Sequence, residues 1–478
     1  MKNNSQQITF YFHDYETFGI NPALDRPAQF AGVRTDSDFN IIEEPLVIYC
    51  QIAQDYLPNP EAVLITGITP QKANQQGICE AEFTKQIHEA FSQPNTCILG
   101  YNNIRFDDEV TRNILYRNFY DPYAYSWRNG NSRWDLLDVV RACYALRPEG
   151  INWPINESGF PSFRLEDLTK ANNIKHEHAH DAMSDVYATI AMAKLIKQVQ
   201  PKLFNYFFTL RNKNKVVELI DIANMTPIIH VSGMLGSYRG NMSLVSPIAW
   251  HANQKNAVIV CDLTGDIDSL INLPVETIRE KLYTKTEDLD VDEQRIPLKL
   301  IHINKCPIIA PLSTLLPDNA KRFDLDKQKC LENQQKLLEN QSLLQSKMRE
   351  LFGMDNEYSN NNNDVDAQIY AGFLNGNDLL NCETIRTTPP QLLDSLSLTF
   401  DDPRLAKLLF RYKARNYPET LTEQELRIWQ DHCRDKLDAT KVQDYMQTLE
   451  QLAEIYIQKP EKLALLKQLY QYCHYLVG

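Results

Sequence analysis

Apolar residues in the first 200 positions fall in short extended runs, ITFYFHD, AQFAGVRT, LVIYCQ and CILGYN, before and between stretches with helical spacing. That spacing predicts helices over 107–120, 136–146, 164–172 and 181–198. Early strands followed by helices predict an α/β module, a mixed sheet flanked by helices. From about 201 the texture changes. IIHVSGM, MSLVSPIAW, NAVIVCDL and LKLIHINKCPIIA are β-rich runs divided by Asn, Gly and Asp, and they predict a small barrel or sandwich. One helix rich in Leu, Gln and Lys is expected over 330–352. GMDNEYSNNNNDVDA reads as a linker, and beyond it LAKLLFRYKARN, VQDYMQTLEQLAEIYIQ and KLALLKQLYQYCHYLV keep helical spacing. The parse is therefore 1–200, 201–353, a linker at 354–365, and an all-helical 366–478.

Bulk properties narrow this picture without redirecting it. At 478 residues the chain exceeds a single core, and 43% hydrophobic with 23% charged residues is ordinary for a globular protein. No apolar run approaches the roughly 20 residues that cross a bilayer, and MKNNSQQITF lacks a signal-peptide core, so a cytoplasmic protein with no membrane association is expected. Ten cysteines without a CxxC pair point to reduced, buried thiols and away from a disulfide framework or zinc site. The net charge of −13 argues against tight non-specific duplex binding but leaves room for a local basic groove.

Candidate chemistry begins at Asp14 and Glu16 in ITFYFHDYETFG. Residues i and i+2 of a strand share a face, and two carboxylates there repel unless a cation lies between them. A D-x-E pair alone is more commonly a solvated strand edge, but here FYF and TFG place it where a buried strand meets a turn. Asp107 ends CILGYNNIRFD and opens the next helix, where Asp107 or Asp108 could instead serve as an N-cap. In HDAMSDVYATIAMAKLI, Asp181 or Ser184 can cap a helix whose first turns carry Asp185, with His180 just ahead. Histidine titrates near neutrality and can accept a proton from water; the alternative is a polar loop residue like His176 and His178. Asp14, Glu16, Asp107, His180 and Asp185 together supply four oxygen donors and a base, the equipment of a two-metal phosphodiester hydrolase.

Single-strand binders combine cations with aromatic stacking platforms. Between Arg112 and Arg147 arginines are interleaved with Tyr and Trp; half or more of these aromatics are expected in the core, and Arg112, Tyr123, Trp127 and Arg141 are the candidates for strand contact. KLFNYFFTLRNKNK, with Lys202, Arg211, Lys213 and Lys215, is equally well explained as an amphipathic helix ending in a basic turn. LKLIHINK would place Lys299 and Lys305 on one strand face and His302 on the other.

Three motifs, DYE at Asp14–Glu16, NNIRFD ending at Asp107 and H-x-A-x-x-D at His180–Asp185, resemble the DEDDh branch of the DnaQ-like 3′–5′ exonucleases. HDYETFG, PALDRPAQF, ILGYNNIRFDDEVTRN, SRWDLLDVVRACYALRPEGINWP and HVSGM narrow the resemblance to the bacterial exodeoxyribonuclease I family, nearly end to end. The resemblance implies an RNase H-like exonuclease domain, then an SH3-like β-rich domain, then a helical C-terminal domain, admitting single-stranded DNA. It implies two Mg²⁺ ions, replaceable by Mn²⁺, on Asp14, Glu16 and Asp185, with Asp107 acting largely through water and His180 as the base. Deoxynucleoside 5′-monophosphates would leave from the 3′ end, in DNA repair and recombination. Glu16, Thr17 and Phe18 would pin the terminal nucleotide, the latter two by backbone and side chains. Arg164 is either a phosphate clamp or a surface charge at a helix start. The resemblance further implies a monomer and a partner, the C-terminal tail of single-strand DNA-binding protein. A related nuclease acting on RNA or in proofreading is disfavoured by the two extra domains. A catalytically dead strand-binding scaffold is disfavoured by the intact five-residue set.

Overall fold

The computed structural model describes residues 8–176, 181–285, 288, 295–353 and 364–477. Its first elements are strands β1 (Thr9–Thr17), β2 (Pro27–Thr35) and β3 (Leu46–Tyr49), helices α1 (Pro60–Thr66), α2 (Pro70–Gln76) and α3 (Glu80–Phe91), strand β4 (Thr96–Gly100) and helix α4 (Asp107–Arg117). β5 (Ser132–Asp135), α5 (Leu136–Leu146), α6 (Leu165–Ala171), α7 (Ala182–Val199), α8 (Pro201–Thr209) and α9 (Lys213–Val217) follow. The β-rich stretch holds β6 (Ile228–Val231), β7 (Met242–Trp250), β8 (Ala257–Asp262), α10 (Ile267–Asn272), α11 (Val275–Tyr283), β9 (Leu298–His302) and β10 (Ile308–Pro311). Helices α12 (Pro317–Arg322), α13 (Lys327–Glu339) and α14 (Gln341–Gly353) close it. The remainder is helical: α15 (Gly376–Thr387), α16 (Pro403–Asn416), α17 (Glu423–Lys436), α18 (Ala439–Ile455) and α19 (Pro460–Val477).

These elements group into two compact units, one of 1–132, 176–190 and 360–478, the other of 133–175 and 191–359. In the first, β1 runs antiparallel to β2 and parallel to β4, and β3 lies antiparallel on β2. β1 is covered on both faces: Phe10, Tyr11 and Phe12 are all buried, which is why TFYF reads as a continuous apolar run and not an alternating one. Helices α1 and α2, which hydrophobic spacing did not predict, start by local chemistry: Asn59 and Thr69 cap them and Pro60 and Pro70 preset the first turn.

The C-terminal helices pack within this same unit. Leu449, Leu452, Leu466 and Leu469 share a core with Phe18, Ala28, Ile52 and Val63. Beside it lies a buried ionic network in which Arg415 of α16 reaches Asp55 and Asp366, each at 2.6 Å, and Arg411 adds a second cation to Asp366 at 3.0 Å. Residues 354–363 of the expected linker lie outside the described residues; by Asp364 the chain is already held by Arg411 and Lys436.

The second unit contains a five-stranded sheet in the order β10-β6-β7-β8-β9, with neighbouring strands antiparallel, as the β-rich runs predict. Two expectations are corrected there. The helix expected over 330–352 is two helices, because Asn340 ends α13, its amide donating to the Lys336 carbonyl. Strand β9 ends at His302 and the chain turns, Lys305 N donating to His302 O at 3.1 Å, so Lys305 shares no strand face with Lys299.

Candidate active site

Strand β1 delivers Asp14 and Glu16 as the spacing requires. It pairs with β4 only through Phe12 and then runs on to Thr17, so the carboxylates stand beyond the end of β4. Tyr15, between them, points the other way: its hydroxyl lies 2.9 Å from Thr111 Oγ1, and its backbone N–H donates to Asp107 Oδ1 at 3.1 Å. One residue thereby ties the strand to the first and second turns of α4. Asp107 and Asp108 both lie within α4, whose N-cap is Phe106 without a side-chain bond, so neither aspartate is the cap. Asp108 instead accepts from Asn103 at 3.5 Å.

Asp185 arrives on α7. Asp181 caps that helix, its Oδ1 accepting from Ser184 N at 3.0 Å, which leaves Ser184 out of the capping role. Asp14, Glu16 and Asp185 bring one carboxylate oxygen each to within 4.8 Å of one another. Asp107 stands outside this close set, although its charge acts on both strand carboxylates. Burial, then repulsion from Asp107, Glu16 and Asp185, holds Asp14 well above the usual carboxylate range. Burial, then Asp185 and Asp107, pushes Glu16 up to about 8. Hard oxygen donors that resist ionising together are a fitting seat for a divalent cation, which would remove the repulsion.

Sequence reasoning passed over His176. Its Nε2 lies 2.5 Å from Asp185 Oδ1. Nothing in KHEHAHDAMSD marks His176 as the partner of Asp185; only the folded chain does. His180 itself lies outside the described residues.

The strand-contact candidates separate. Thr17 donates its hydroxyl to Gly19 O at 2.7 Å. Phe18 is 1% exposed, its N–H bonds Arg26 O and its carbonyl accepts from Asn59 and Tyr56, so the expectation that its side chain pins a nucleotide is corrected: the ring belongs to the core. Arg112 is buried, bonded to Glu109 at 2.7 Å and set over the Tyr123 ring at 5.4 Å. Trp127 is 60% exposed, with Arg128 beside its ring. In the second unit Arg141 pairs with Asp138 at 2.6 Å, while Arg164 is largely exposed, 3.8 Å from Glu166.

Three family models cover nearly the whole chain: Exonuclease over residues 11–193, Exonuclease I SH3-like domain over 211–354 and Exonuclease I C-terminal domain over 363–476. The chain is 56% identical over 477 residues to exodeoxyribonuclease I of Escherichia coli strain K12, covering 100% of both chains. It is similar, at TM-score 0.95 and 56% identity, to a zinc-ion-bound crystal form of the E. coli exonuclease I–ssDNA complex, covering 99% of this chain and 100% of that one. The likeness to an ExoI/SSB-Ct complex has a TM-score of 0.94 at 55% identity, over 99% of this chain and 100% of that one. With an exonuclease module, an SH3-like sheet and a helical C-terminal segment in that order, and with identity of this extent, the chain belongs to the exodeoxyribonuclease I family of exonucleases.

Proposed function

We propose that this protein is a Mg²⁺-dependent 3′–5′ exonuclease that degrades single-stranded DNA to deoxynucleoside 5′-monophosphates in DNA repair and recombination. The observation that carries the reading is the convergence of Asp14, Glu16 and Asp185 oxygens within 4.8 Å beside Asp107. Asp14, Glu16 and Asp185 would hold two Mg²⁺ ions, or Mn²⁺ in their place, with Asp107 acting through water. Bound there, such ions supply charge stabilisation to the attacking and departing oxygens of an in-line hydrolysis.

The chain's own groups do the rest. His180 takes the proton of the attacking water as the new P–O bond forms. The bond from phosphorus to the 3′-oxygen of the penultimate nucleotide breaks, and that oxygen is protonated as the 5′-monophosphate leaves. Tyr15, through its N–H, orients Asp107. Glu16, Thr17 and the Phe18 backbone line the approach of the terminal nucleotide. Trp127 and Tyr123 offer stacking faces, and Arg112, Arg141 and Arg164 counter strand phosphates.

The ExoI–ssDNA and ExoI/SSB-Ct structures support two further parts of the reading, single-stranded DNA as substrate and the C-terminal tail of single-strand DNA-binding protein as partner. Among the described residues no helix is long and apolar enough to cross a membrane; a cytoplasmic monomer is proposed on the family resemblance. Digestion of 5′-labelled single-stranded DNA, duplex DNA and RNA with Mg²⁺, against EDTA and Asp185→Ala controls, tests the proposal. A ladder shortening from the 3′ end of single-stranded DNA, absent in both controls, is expected. Preferential loss of RNA, or binding without cleavage, would overturn it.

A further inference from the structure

Asp185 is constrained by more than its helix. His176, in the segment leading to α7, places Nε2 2.5 Å from Asp185 Oδ1, and its side chain is 4% exposed against 20% for Asp185. An ionised carboxylate only accepts, so the ring supplies Nε2–H and its tautomer is thereby set. Fixing one oxygen of a carboxylate fixes its plane, and with it the place of the other oxygen. Asp14 and Glu16 each bring a carboxylate oxygen within 4.8 Å of one of Asp185, so the orientation of that group decides how the three oxygens meet a cation.

We propose that His176 is a positioning residue whose Nε2–H holds the Asp185 carboxylate in the orientation that ligates a divalent cation together with Asp14 and Glu16. The inference rests on reading those three carboxylates as ligands. Hydrogen bonds of this outer kind are commonly worth about 10–100-fold in metal affinity. A different account makes the imidazole a countercharge that an incoming cation must displace. The two accounts demand opposite signs: losing a positioning bond weakens metal binding, whereas losing a competing charge strengthens it.

The test is Mn²⁺ binding to the full-length protein without DNA, followed by electron paramagnetic resonance of the free ion. His176→Leu should bind Mn²⁺ about 10–100-fold more weakly than the parent. His176→Gln, whose amide keeps a donor at the reach of Nε2, should stay within a few-fold of it. Circular dichroism and metal-free melting report whether the fold is kept. Should His176→Leu not fold, His176→Asn takes its place, its shorter amide falling short of Asp185 with the same expected loss. Tighter or unchanged Mn²⁺ binding in the variant that removes the bond overturns the proposal. Asp185→Asn separates the two levels. If it binds Mn²⁺ like the parent, the ligand reading itself fails. If it loses the ion while the His176 variants do not, only the positioning role is lost.

Discussion

Glu16 shows at the scale of one residue what burying acid beside acid does. In the folded chain its carboxyl is pushed up to about 8, by burial first and then by Asp185 and Asp107. Unfolded, a glutamate titrates near 4.3. Between those values the folded state binds the extra proton, so the metal-free protein loses stability as pH rises from about 4 to about 8. Calorimetric melting in EDTA should show that decline relative to Glu16→Gln, and added Mg²⁺ should remove it. Equal pH slopes for parent and variant would contradict the assignment. Replacement of Glu16 by Gln should also cut cleavage by about a hundredfold or more, the size of losing one preorganised electrostatic contact; single-turnover kinetics on labelled single-stranded DNA measures it. The adjacent His13 shows the opposite outcome. Strand alternation turns it into the aromatic core beside Phe30 and Phe91, where burial lowers it to about 4 and keeps it neutral.

Elements succeed or fail as predictions according to where their information resides. β1 and β2 were legible as apolar runs, and α5 and α7 as helical spacing kept over several turns. The joint at Asn340 was not, since Leu, Gln and Lys spacing runs straight across it and only a side-chain bond to the backbone marks the stop. Helix α16 carries information that no periodicity holds: Arg404, Arg411 and Lys413 are buried and the Arg415 side chain is 8% exposed, which a surface-charge reading would reject. Arg415 is held by Asp55 and Asp366, and removing one side of such a buried pair strands the other charges. Arg415→Met should therefore destabilise by about 3–5 kcal/mol in denaturant unfolding. A loss below about 1 kcal/mol would mean that the network is solvated. The same network predicts acid lability. Burial alone would raise Glu80, but Arg117 and Arg26 outweigh it and hold the carboxyl at about 2, while Asp366 is held well below its usual range by Arg415 and Arg26 against burial. Depressed carboxylates stabilise above their unfolded pKa and lose that contribution as pH falls from about 4 toward 2. Fluorescence-monitored unfolding on that ramp should begin at higher pH in Arg117→Met than in the parent.

For the whole molecule, a net charge of −13 does not forbid binding a polyanion, because the cations that matter are local. Affinity for single-stranded DNA should fall with salt, with a slope of about −0.7 for each phosphate contact. Arg164→Ala should reduce that slope by roughly one contact, whereas Trp127→Ala should cost about 1–3 kcal/mol and leave the slope unchanged. Fluorescence anisotropy across a salt series checks both. An unchanged slope for Arg164→Ala would return that residue to the role of a surface charge, in keeping with its exposure and its 3.8 Å approach to Glu166.

The sequence by itself determined the strand that carries Asp14 and Glu16 and the helices that start at Asp107 and just before Asp185, because each rests on periodicity, caps or adjacency within a few residues. Tertiary structure alone decided what depends on residues far apart in the chain. Tyr15 bonds Asp107 across 92 positions, Phe18 turns into a core that includes the C-terminal helices, and Arg415 meets Asp55 across 360. It also brought His176 to Asp185. A hydrogen bond or an ion pair is specific to a few tenths of an ångström, and no local pattern encodes that distance between segments brought together only by folding.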